Sequence, residues 1–338
     1  MEIKKIAIVG CGAFGYALAL LLGRTHKNII VNVFDVDEKV INELSKNKKH
    51  PFFHKGHIIT NNILPTTKVE EAVDKADLII LAVPAQFMRG AVTNIKDLIP
   101  KKAILLHVSK ALETSSDKRM SEVITESLNP NFQNDIAALA GGMLAHEVAD
   151  EMPVGADIAC ESEWALTELK ELFLPSTVHV EITPDLAGVE FSSSFKNVVA
   201  IGSGIIDGLK LGTSCKAFYI AQLVKEVEGI AVLLGANKET FHTSSNAWVG
   251  DLLTTCFGNS RNRLFGELLG QGKTIEEAKS ILDKKHKHAE GLATVKIIKE
   301  IEQEHNLNLP FFNAMYSVMF ENKDAKEVFM KISLYQNS

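Results

Sequence analysis

Apolar runs in the first half of the chain alternate with segments whose apolar residues recur at helical spacing. KKIAIVG (4–10) has the length and apolar character of a buried strand, and AFGYALALLLGR (13–24) those of a buried helix. Continuous apolar strands that alternate with helices are typical of a parallel sheet covered on both faces. The pattern therefore predicts a parallel sheet with strands at 4–10, 29–35, 76–85, 101–110, 135–143, 155–161 and 177–183.

The pattern changes at Pro184, beyond which strand-like runs nearly disappear. The later segments show helical periodicity, and several of them end at glycine, a common helix terminator. They predict helices at 185–209, 218–236, 261–272 and 274–285. A chain of 338 residues is long enough for about two domains. We therefore predict a doubly wound α/β domain of the Rossmann type at 1–184 and an all-α domain at 185–338.

Composition indicates an ordinary globular protein and argues against several classes of partner. Hydrophobic residues make up 46% of the chain and the net charge is −6, so no general affinity for nucleic acid or an anionic membrane is expected. The longest apolar runs fall short of the roughly 18 residues of a membrane-spanning helix. The four cysteines are widely spaced, which predicts neither a metal site nor a disulfide framework. A reducing cytoplasmic location fits them best.

A glycine-rich turn joins the first predicted strand to the first predicted helix. GCGAFG (10–15) matches G-x-G-x-x-G, whose glycines permit a tight turn, close approach of a pyrophosphate and close strand–helix packing. Asp35 ends the next predicted strand, where an acid can accept hydrogen bonds from the adenosine ribose and repel a 2′-phosphate. No arginine follows closely, only Lys39. The pattern predicts a dinucleotide site that favours NAD over NADP, with contacts from Gly10, Gly12, Gly15 and Asp35.

Lys196 is the single ionised residue between Phe191 and Ile206. Helical spacing places small side chains on its face, and the other sides of the helix are apolar, as in a buried helix. Desolvation favours the neutral form of a lysine and lowers its pKa, which suits a group that exchanges a proton. A lysine that reaches solvent, or pairs with an acid for structure alone, has the same pattern. Asp251, also in an apolar context, is a candidate partner.

A polar turn, GNS (258–260), precedes a predicted helix that begins with Arg261 and Asn262. Ser260 is a suitable N-cap residue. A helix start that carries arginine beside free backbone N–H groups is a natural phosphate site. A capped surface helix with solvated arginines has the same pattern, so the spacing leaves both interpretations open.

These segments together resemble the NAD(P)-dependent glycerol-3-phosphate dehydrogenase family over residues 4–331. The resemblance rests on an ordered set of motifs: GCGAFGYALA (10–19), AVPAQFMR (82–89), SKALE (109–113), EVADE (147–151), FKNVVAIGSGIIDGLKLG (195–212), GDLLTTC with SRNRLFG (250–266), AEGLATVK (289–296) and LPFFNAMYSVMF (309–320). It implies a Rossmann-type domain, a helical domain like the C-terminal domain of 6-phosphogluconate dehydrogenase, and a homodimer. It also implies reversible reduction of dihydroxyacetone phosphate to sn-glycerol 3-phosphate by NADH, with NADP less favoured.

The resemblance implies roles for individual residues, and no metal. Lys196 is implied to be the general acid that protonates the substrate carbonyl, with Lys110 and Asp251 as further catalytic residues. The implied substrate-binding residues are Lys110, Gly141, Asn197, Thr255, Ser260, Arg261 and Asn262. The implied cofactor-binding residues, besides the glycines and Asp35, are Ala13, Phe14, Pro84, Lys110, Ala145, Arg261 and Glu290.

Two other functions stay open. The chain departs from the family at GGMLA (141–145), where the bacterial enzymes usually have G-P-S-F-A, and at SSSF (192–195), where Gly-Gly-Ala-Leu is usual. One alternative is a related dehydrogenase for another small phosphorylated ketone or hydroxy acid. The other is an NAD-binding sensor without catalysis. The joint retention of four residues argues against it: Lys110, Lys196, Asp251 and Arg261.

Overall fold

The computed structural model describes residues 3–128, 134–284 and 289–332. The chain forms two units, Met1–Glu190 and Phe191–Ser338. The first combines a sheet with helices and the second is helical, so the predicted fold class is confirmed. The predicted domain limits, 1–184 and 185–338, stay a prediction.

The described part of the first unit contains one eight-stranded sheet. Its strands are β1 (Lys5–Val9), β2 (Ile30–Phe34), β3 (Ile63–Thr66), β4 (Leu78–Leu81), β5 (Ile104–His107), β6 (Ile136–Ala140), β7 (Val154–Cys160) and β8 (Val178–Thr183). They lie in the order β3-β2-β1-β4-β5-β6-β7-β8, and the neighbours from β3 to β6 are parallel. The strand order reverses between β1 and β4, and ligands bind outside the carboxyl ends of strands at such a reversal.

Helices cover both faces of this sheet. They are α1 (Ala13–Thr25), α2 (Glu38–Asn47), α3 (Val69–Val73), α4 (Ala85–Ile95), α5 (Met120–Ser127), α6 (Ala145–Ala149) and α7 (Glu163–Phe173). Successive side chains of a strand point to opposite faces. Ile6 and Ile8 of β1 therefore pack in one apolar cluster with α1 and α7, whereas Ala7 and Val9 pack in another with α4 and α5. The continuous apolar strands follow from this double burial.

The prediction that the whole sheet is parallel was wrong at one pair. β7 runs antiparallel to β6, with Ala138 opposite Ala159, while β7 and β8 are parallel. The helix between β6 and β7 is α6, which has 5 residues. Five helical residues rise about 7 Å, whereas a strand as long as β6 spans about 16 Å. A helix this short cannot return the chain to the beginning of β6, as a parallel crossover requires.

The sequence pattern did not predict β3, an edge strand of 4 residues. Its sequence ILPT contains Pro65, which lacks a backbone N–H and lowers the strand signal. Proline is tolerated in edge strands because one side of such a strand makes no ladder bonds.

The second unit is built from helices, and no strand occurs within its described residues. Its elements are α8 (Leu186–Leu209), which begins in the last residues of the first unit, α9 (Thr213–Leu233), a 3₁₀ turn (Lys238–Phe241), a π-helical turn (Asn246–Gly250), α10 (Asp251–Phe257), α11 (Arg261–Gly270), α12 (Ile275–Asp283), α13 (Gly291–His305), α14 (Pro310–Phe320) and α15 (Ala325–Met330). The four predicted helices correspond to α8, α9, α11 and α12. The predicted end of the last, Lys285, lies outside the described residues.

Helices α8 and α11 pack backbone against backbone. Four glycines form the contact, Gly204 and Gly208 on α8 and Gly266 and Gly270 on α11. A Cβ atom on Gly266 would lie 1.9 Å from the carbonyl oxygen of Ile201. On each of the other three glycines, a Cβ atom would lie 2.0 to 2.2 Å from a carbonyl oxygen of the opposite helix. Any side chain at these positions would therefore force the two helices apart.

We expect Gly266→Ala to destabilise the protein by about 3 kcal/mol, because the added methyl group must displace backbone atoms rather than a movable side chain. Thermal unfolding followed by calorimetry measures the effect. Gly229→Ala is the matched control: this exposed glycine lies inside α9, and a Cβ atom there would have no described atom within 4 Å. Alanine should stabilise that helix by about 0.5–1 kcal/mol. Equal Tm values for the two variants would contradict the close α8–α11 contact.

Candidate active site

The residues predicted from the sequence fall into two groups, one in each unit. The first unit contains Gly10, Gly12, Ala13, Phe14, Gly15, Asp35, Pro84, Lys110, Gly141 and Ala145. The second unit contains Lys196, Asn197, Asp251, Thr255, Ser260, Arg261, Asn262 and Glu290.

The glycine-rich turn connects β1 to α1. Gly10 has φ +101°, and a Cβ atom there would lie 2.7 Å from the carbonyl oxygen of Ala82. A Cβ atom on Gly15 would lie 2.1 Å from the carbonyl oxygen of Gly10, so the helix packs directly on the turn. Gly12 differs, because a Cβ atom there would have no described atom within 4 Å. Gly12 is the N-cap residue of α1, and no side chain caps this helix or places an acid in its first turn. The open, uncapped helix start fits an anionic ligand.

Asp35 follows β2 and lies against this turn. One of its carboxylate oxygens, Oδ2, accepts a hydrogen bond from the backbone N–H of Cys11 at 2.6 Å. The other, Oδ1, accepts from the N–H of Asp37 at 2.9 Å. These bonds hold the carboxylate beside the glycine-rich turn, and each oxygen retains capacity for a further donor such as a ribose hydroxyl.

Two histidines that the sequence analysis did not single out hold the same turn. Nε2 of His50 donates to the carbonyl oxygen of Cys11 at 2.8 Å, and Nε2 of His54 donates to that of Ala13 at 2.9 Å. Nδ1 of His50 accepts from the N–H groups of Phe52 and Phe53, both at 3.1 Å.

His50 is therefore neutral, with its proton on Nε2, and burial lowers its pKa. The sequence signal for these residues is KKHPFFHKGH (48–57), which carries three of the eleven histidines within eight residues.

Lys110 follows β5 and contacts the loop after β6. Its Nζ donates to the carbonyl oxygen of Gly141 at 2.8 Å. A Cβ atom on Gly141 would lie 2.4 Å from the carbonyl oxygen of Gly155, so no side chain fits there. Pro84 is the N-cap residue of α4 and Ala145 begins α6. Like the glycine-rich turn, Pro84 and Lys110 follow the carboxyl ends of parallel strands, where this class of sheet binds ligands.

Lys196 of α8 lies in a buried polar group with two residues of α10. Its Nζ is 2.5 Å from Oδ1 of Asp251 and donates to Oγ1 of Thr255 at 3.0 Å. Asp251 and Thr255 are four residues apart, on one face of α10, and the Thr255 hydroxyl lies 3.4 Å from Oδ1 of Asp251. The side chains of Lys196 and Asp251 are 5% and 3% exposed. Asp251 is the partner that the sequence analysis suggested for Lys196, and its carboxylate opposes the effect of desolvation and stabilises the ammonium ion.

The predicted phosphate site lies at the start of α11. Ser260 is the N-cap residue, and its side chain accepts a hydrogen bond from the N–H of Arg263 at 3.5 Å. Nη2 of Arg261 lies 3.7 Å from Oε1 of Glu290, and these side chains are 47% and 38% exposed. Arg261 is thus accessible to an anion.

The start of α13, at Gly291, is hydrogen-bonded to α11 and packs against α8. Oδ1 of Asn262 accepts a hydrogen bond from the N–H of Gly291 at 3.0 Å, which leaves Nδ2 as the group of this amide that can donate to an anion. A Cβ atom on Gly291 would lie 2.9 Å from the carbonyl oxygen of Asn197, next to Lys196. The second unit thus places the start of α11 and the middle of α8 on either side of one short segment.

Two searches of the described ranges bear on other kinds of site. Among residues 3–128, 134–284 and 289–332, no three His, Cys, Asp or Glu side chains are arranged to hold a metal ion. No helix within those ranges is long and apolar enough to cross a membrane.

Comparison with protein families gives two matches that together cover most of the chain. The model for the N-terminus of NAD-dependent glycerol-3-phosphate dehydrogenase matches residues 5–166, and the model for its C-terminus matches residues 185–330.

Individual relatives carry the name of the same enzyme family. The chain is 33% identical over 324 residues to a glycerol-3-phosphate dehydrogenase (NAD(P)+) of Clostridium botulinum, which covers 96% of this chain and 95% of the relative. It is 31% identical over 329 residues to the enzyme of that name from Listeria innocua, at 97% and 95% coverage.

Solved structures have the same fold. The crystal structure of glycerol-3-phosphate dehydrogenase from Coxiella burnetii superimposes with a TM-score of 0.86 at 27% identity, covering 98% of this chain and 99% of that one. The Plasmodium falciparum protein of that name has a TM-score of 0.89 at 23% identity, with 100% and 96% coverage, which supports the fold alone. The chain belongs to the NAD-dependent glycerol-3-phosphate dehydrogenase family.

Proposed function

We propose that the protein catalyses reversible hydride transfer between NADH and dihydroxyacetone phosphate, which gives sn-glycerol 3-phosphate. The observation that carries the proposal is the buried group of Lys196, Asp251 and Thr255. Its lysine lies on α8, which packs against α11, the helix that begins with Arg261. A proton donor near an accessible cation at a helix start suits a carbonyl substrate that bears a phosphate. The printed names of the relatives support the same substrate.

The first unit fits a dinucleotide. The uncapped start of α1 and the open space at Gly12 suit the pyrophosphate, and Asp35 beside the turn suits the adenosine ribose. When bound, NADH supplies the hydride that reduces the substrate carbonyl. Pro84, Lys110 and Ala145 are further proposed contacts on this unit, and Arg261 and Glu290 are proposed contacts on the second.

Lys196 acts as the general acid in this proposal. Negative charge develops on the carbonyl oxygen during reduction, and Nζ of Lys196 donates the proton that neutralises it. Asp251 keeps the lysine charged before the reaction and fixes its position, and Thr255 holds the ammonium from a second side. In the reverse direction, the neutral amine accepts the proton of the substrate hydroxyl.

The phosphate of the substrate binds at the start of α11. Arg261, Nδ2 of Asn262 and the backbone N–H groups of the first turn are the proposed donors, with Ser260 beside them. Lys110, Gly141 and Asn197 are proposed to complete the substrate site. A cytoplasmic location and a homodimeric state stay predictions.

Oxidation of NADH in the presence of dihydroxyacetone phosphate tests the proposed function directly. We expect turnover with the phosphate ester and far slower turnover with dihydroxyacetone, because a site built for a phosphate rejects an analogue that leaves it unpaired. Absorbance at the NADH band measures both rates. Folded protein that binds NADH but does not turn over the phosphate ester would reject the proposal and leave the sensor as the alternative.

Replacement of the general acid should separate catalysis from cofactor binding. We expect Lys196→Ala to lower kcat by about 10²-fold or more, since no other group supplies the proton, with the Kd for NADH unchanged. Lys299→Ala is the control, because it removes another lysine of the second unit that pairs with a carboxylate, Glu302 at 2.6 Å. A kcat for Lys196→Ala close to that of the control would contradict the assigned role.

Cofactor preference should depend on the charge of Asp35. We expect NADH to bind more tightly than NADPH, because the carboxylate repels a 2′-phosphate. Asp35→Asn keeps the shape of the side chain and should raise the affinity for NADPH relative to NADH by about tenfold. Fluorescence titration gives the four Kd values. Tighter binding of NADPH by the unmodified protein would overturn the preference.

A further inference from the structure

Arg263 connects the turn before α11 to α8. Its Nε donates to the carbonyl oxygen of Gly258 at 2.8 Å, and its backbone N–H donates to Oγ of Ser260 at 3.5 Å. Its Nη1 donates to Oδ2 of Asp207 at 2.9 Å and to Oε2 of Glu267 at 3.2 Å. One side chain therefore contacts both the turn and the end of α8, which a planar guanidinium can do with several donors at once.

A second cation binds the same carboxylate and contacts the residue that precedes the turn. Nζ of Lys216, on α9, donates to Oδ2 of Asp207 at 2.7 Å. The same Nζ lies 4.6 Å from the centroid of the Phe257 ring, within the range of a cation–π contact. The side chain of Lys216 is 7% exposed and that of Asp207 27%. Phe257, the last residue of α10, and Gly258, the first residue of the turn, thus each contact a cation that is fixed by Asp207.

Asp207 links this arrangement to the proposed general acid. It lies on α8 eleven residues after Lys196, which is about three helical turns and therefore nearly the same face. The glycine contact joins α8 to α11 from Ile201 to Gly208, a stretch that includes Asp207. Asp207 therefore fixes the position of the turn relative to α8, the helix that carries Lys196, as well as relative to α11.

Arg261 itself has few restraints. Its side chain is 47% exposed, and its ion contact with Glu290 is 3.7 Å long. The direction in which Arg261 and the first N–H groups of α11 point is therefore set by the backbone of the turn. That backbone is held by Arg263 at Gly258 and at Ser260.

We propose that Arg263, anchored by Asp207, which Lys216 also holds, is a positioning residue that orients the turn at 258–260 toward the phosphate of the substrate. The proposal rests on the proposed function, because it assigns the phosphate to the start of α11. Arg263 contacts the turn and not the reacting atoms, so its loss should weaken recognition of the phosphate and leave proton transfer intact.

The charges of the group permit a test that separates positioning from simple attraction. Two cations, Arg263 and Lys216, face two carboxylates, Asp207 and Glu267. Asp207→Asn removes one negative charge, so attraction alone would strengthen the binding of a phosphate dianion. Loss of the ion pair between Asp207 and Arg263 would instead weaken the binding of the phosphate. The two explanations therefore predict opposite changes in the KM for the phosphate substrate.

The experiment compares Arg263→Lys and Asp207→Asn with the unmodified protein in steady-state assays with dihydroxyacetone phosphate and with dihydroxyacetone. We expect the KM for the phosphate ester to rise about tenfold in each variant, the scale of a small misplacement of binding groups, with kcat changed by less than about twofold. The kcat/KM for dihydroxyacetone should stay unchanged. Lys299→Met controls for a general loss of stability, because it breaks a lysine–carboxylate pair elsewhere in this unit.

Three results would overturn the proposal: an unchanged KM for the phosphate ester in both variants, a lower KM in Asp207→Asn, or equal losses with the two substrates. An unmodified protein without turnover on the phosphate ester would instead reject the proposed function, and this inference with it.

Discussion

Backbone packing between α8 and α11 determines where the chemistry of the second unit can occur. The four glycines at 204, 208, 266 and 270 let the two helix backbones touch, and interiors packed this closely transmit a displacement rather than absorb it. Lys196 lies two turns before the contact on one helix, and Arg261 lies at the start of the other. The distance between the proposed proton donor and the proposed phosphate-binding helix start is thereby set by backbone atoms rather than by side-chain rotamers. Glycine lowers helix propensity, so this geometry has a cost in helix stability.

The buried ion pair in the second unit resolves an apparent conflict. A lysine surrounded by apolar residues favours its neutral form, which cannot donate a proton, whereas a fully hydrated lysine holds its proton tightly. Asp251 restores the charged form without solvent, and Thr255 occupies a second donor position of the ammonium. Because removing either partner leaves an uncompensated buried charge, the pair is a stronger constraint on sequence than a surface salt bridge.

Local requirements were predictable from the sequence, whereas most long-range contacts were not; the pairing of Lys196 with Asp251 is an exception. The glycine-rich turn is recognisable because Gly10 needs a positive φ and Gly15 needs close packing, and both needs arise within six residues. The direction of β7 depends on the length of α6, which periodicity does not reveal over 5 residues. The hydrogen bonds from His50 and His54 to the turn join residues about forty positions apart, and no local sequence pattern predicts such contacts. The glycines of α8 and α11 lie four residues apart in each helix and so share a face, but this spacing does not indicate which two helices meet.

The neutral state of His50 makes the glycine-rich turn responsive to protons. Its Nδ1 faces two backbone N–H groups, so a proton on that atom would meet two donors in place of an acceptor. The lowered pKa means that the arrangement is intact at and above neutral pH and is lost only as the pH falls below the ordinary histidine range. At such low pH, a ligand that requires the ordered turn releases a proton from His50 when it binds. By reciprocity, a ligand that binds the ordered turn makes His50 harder to protonate.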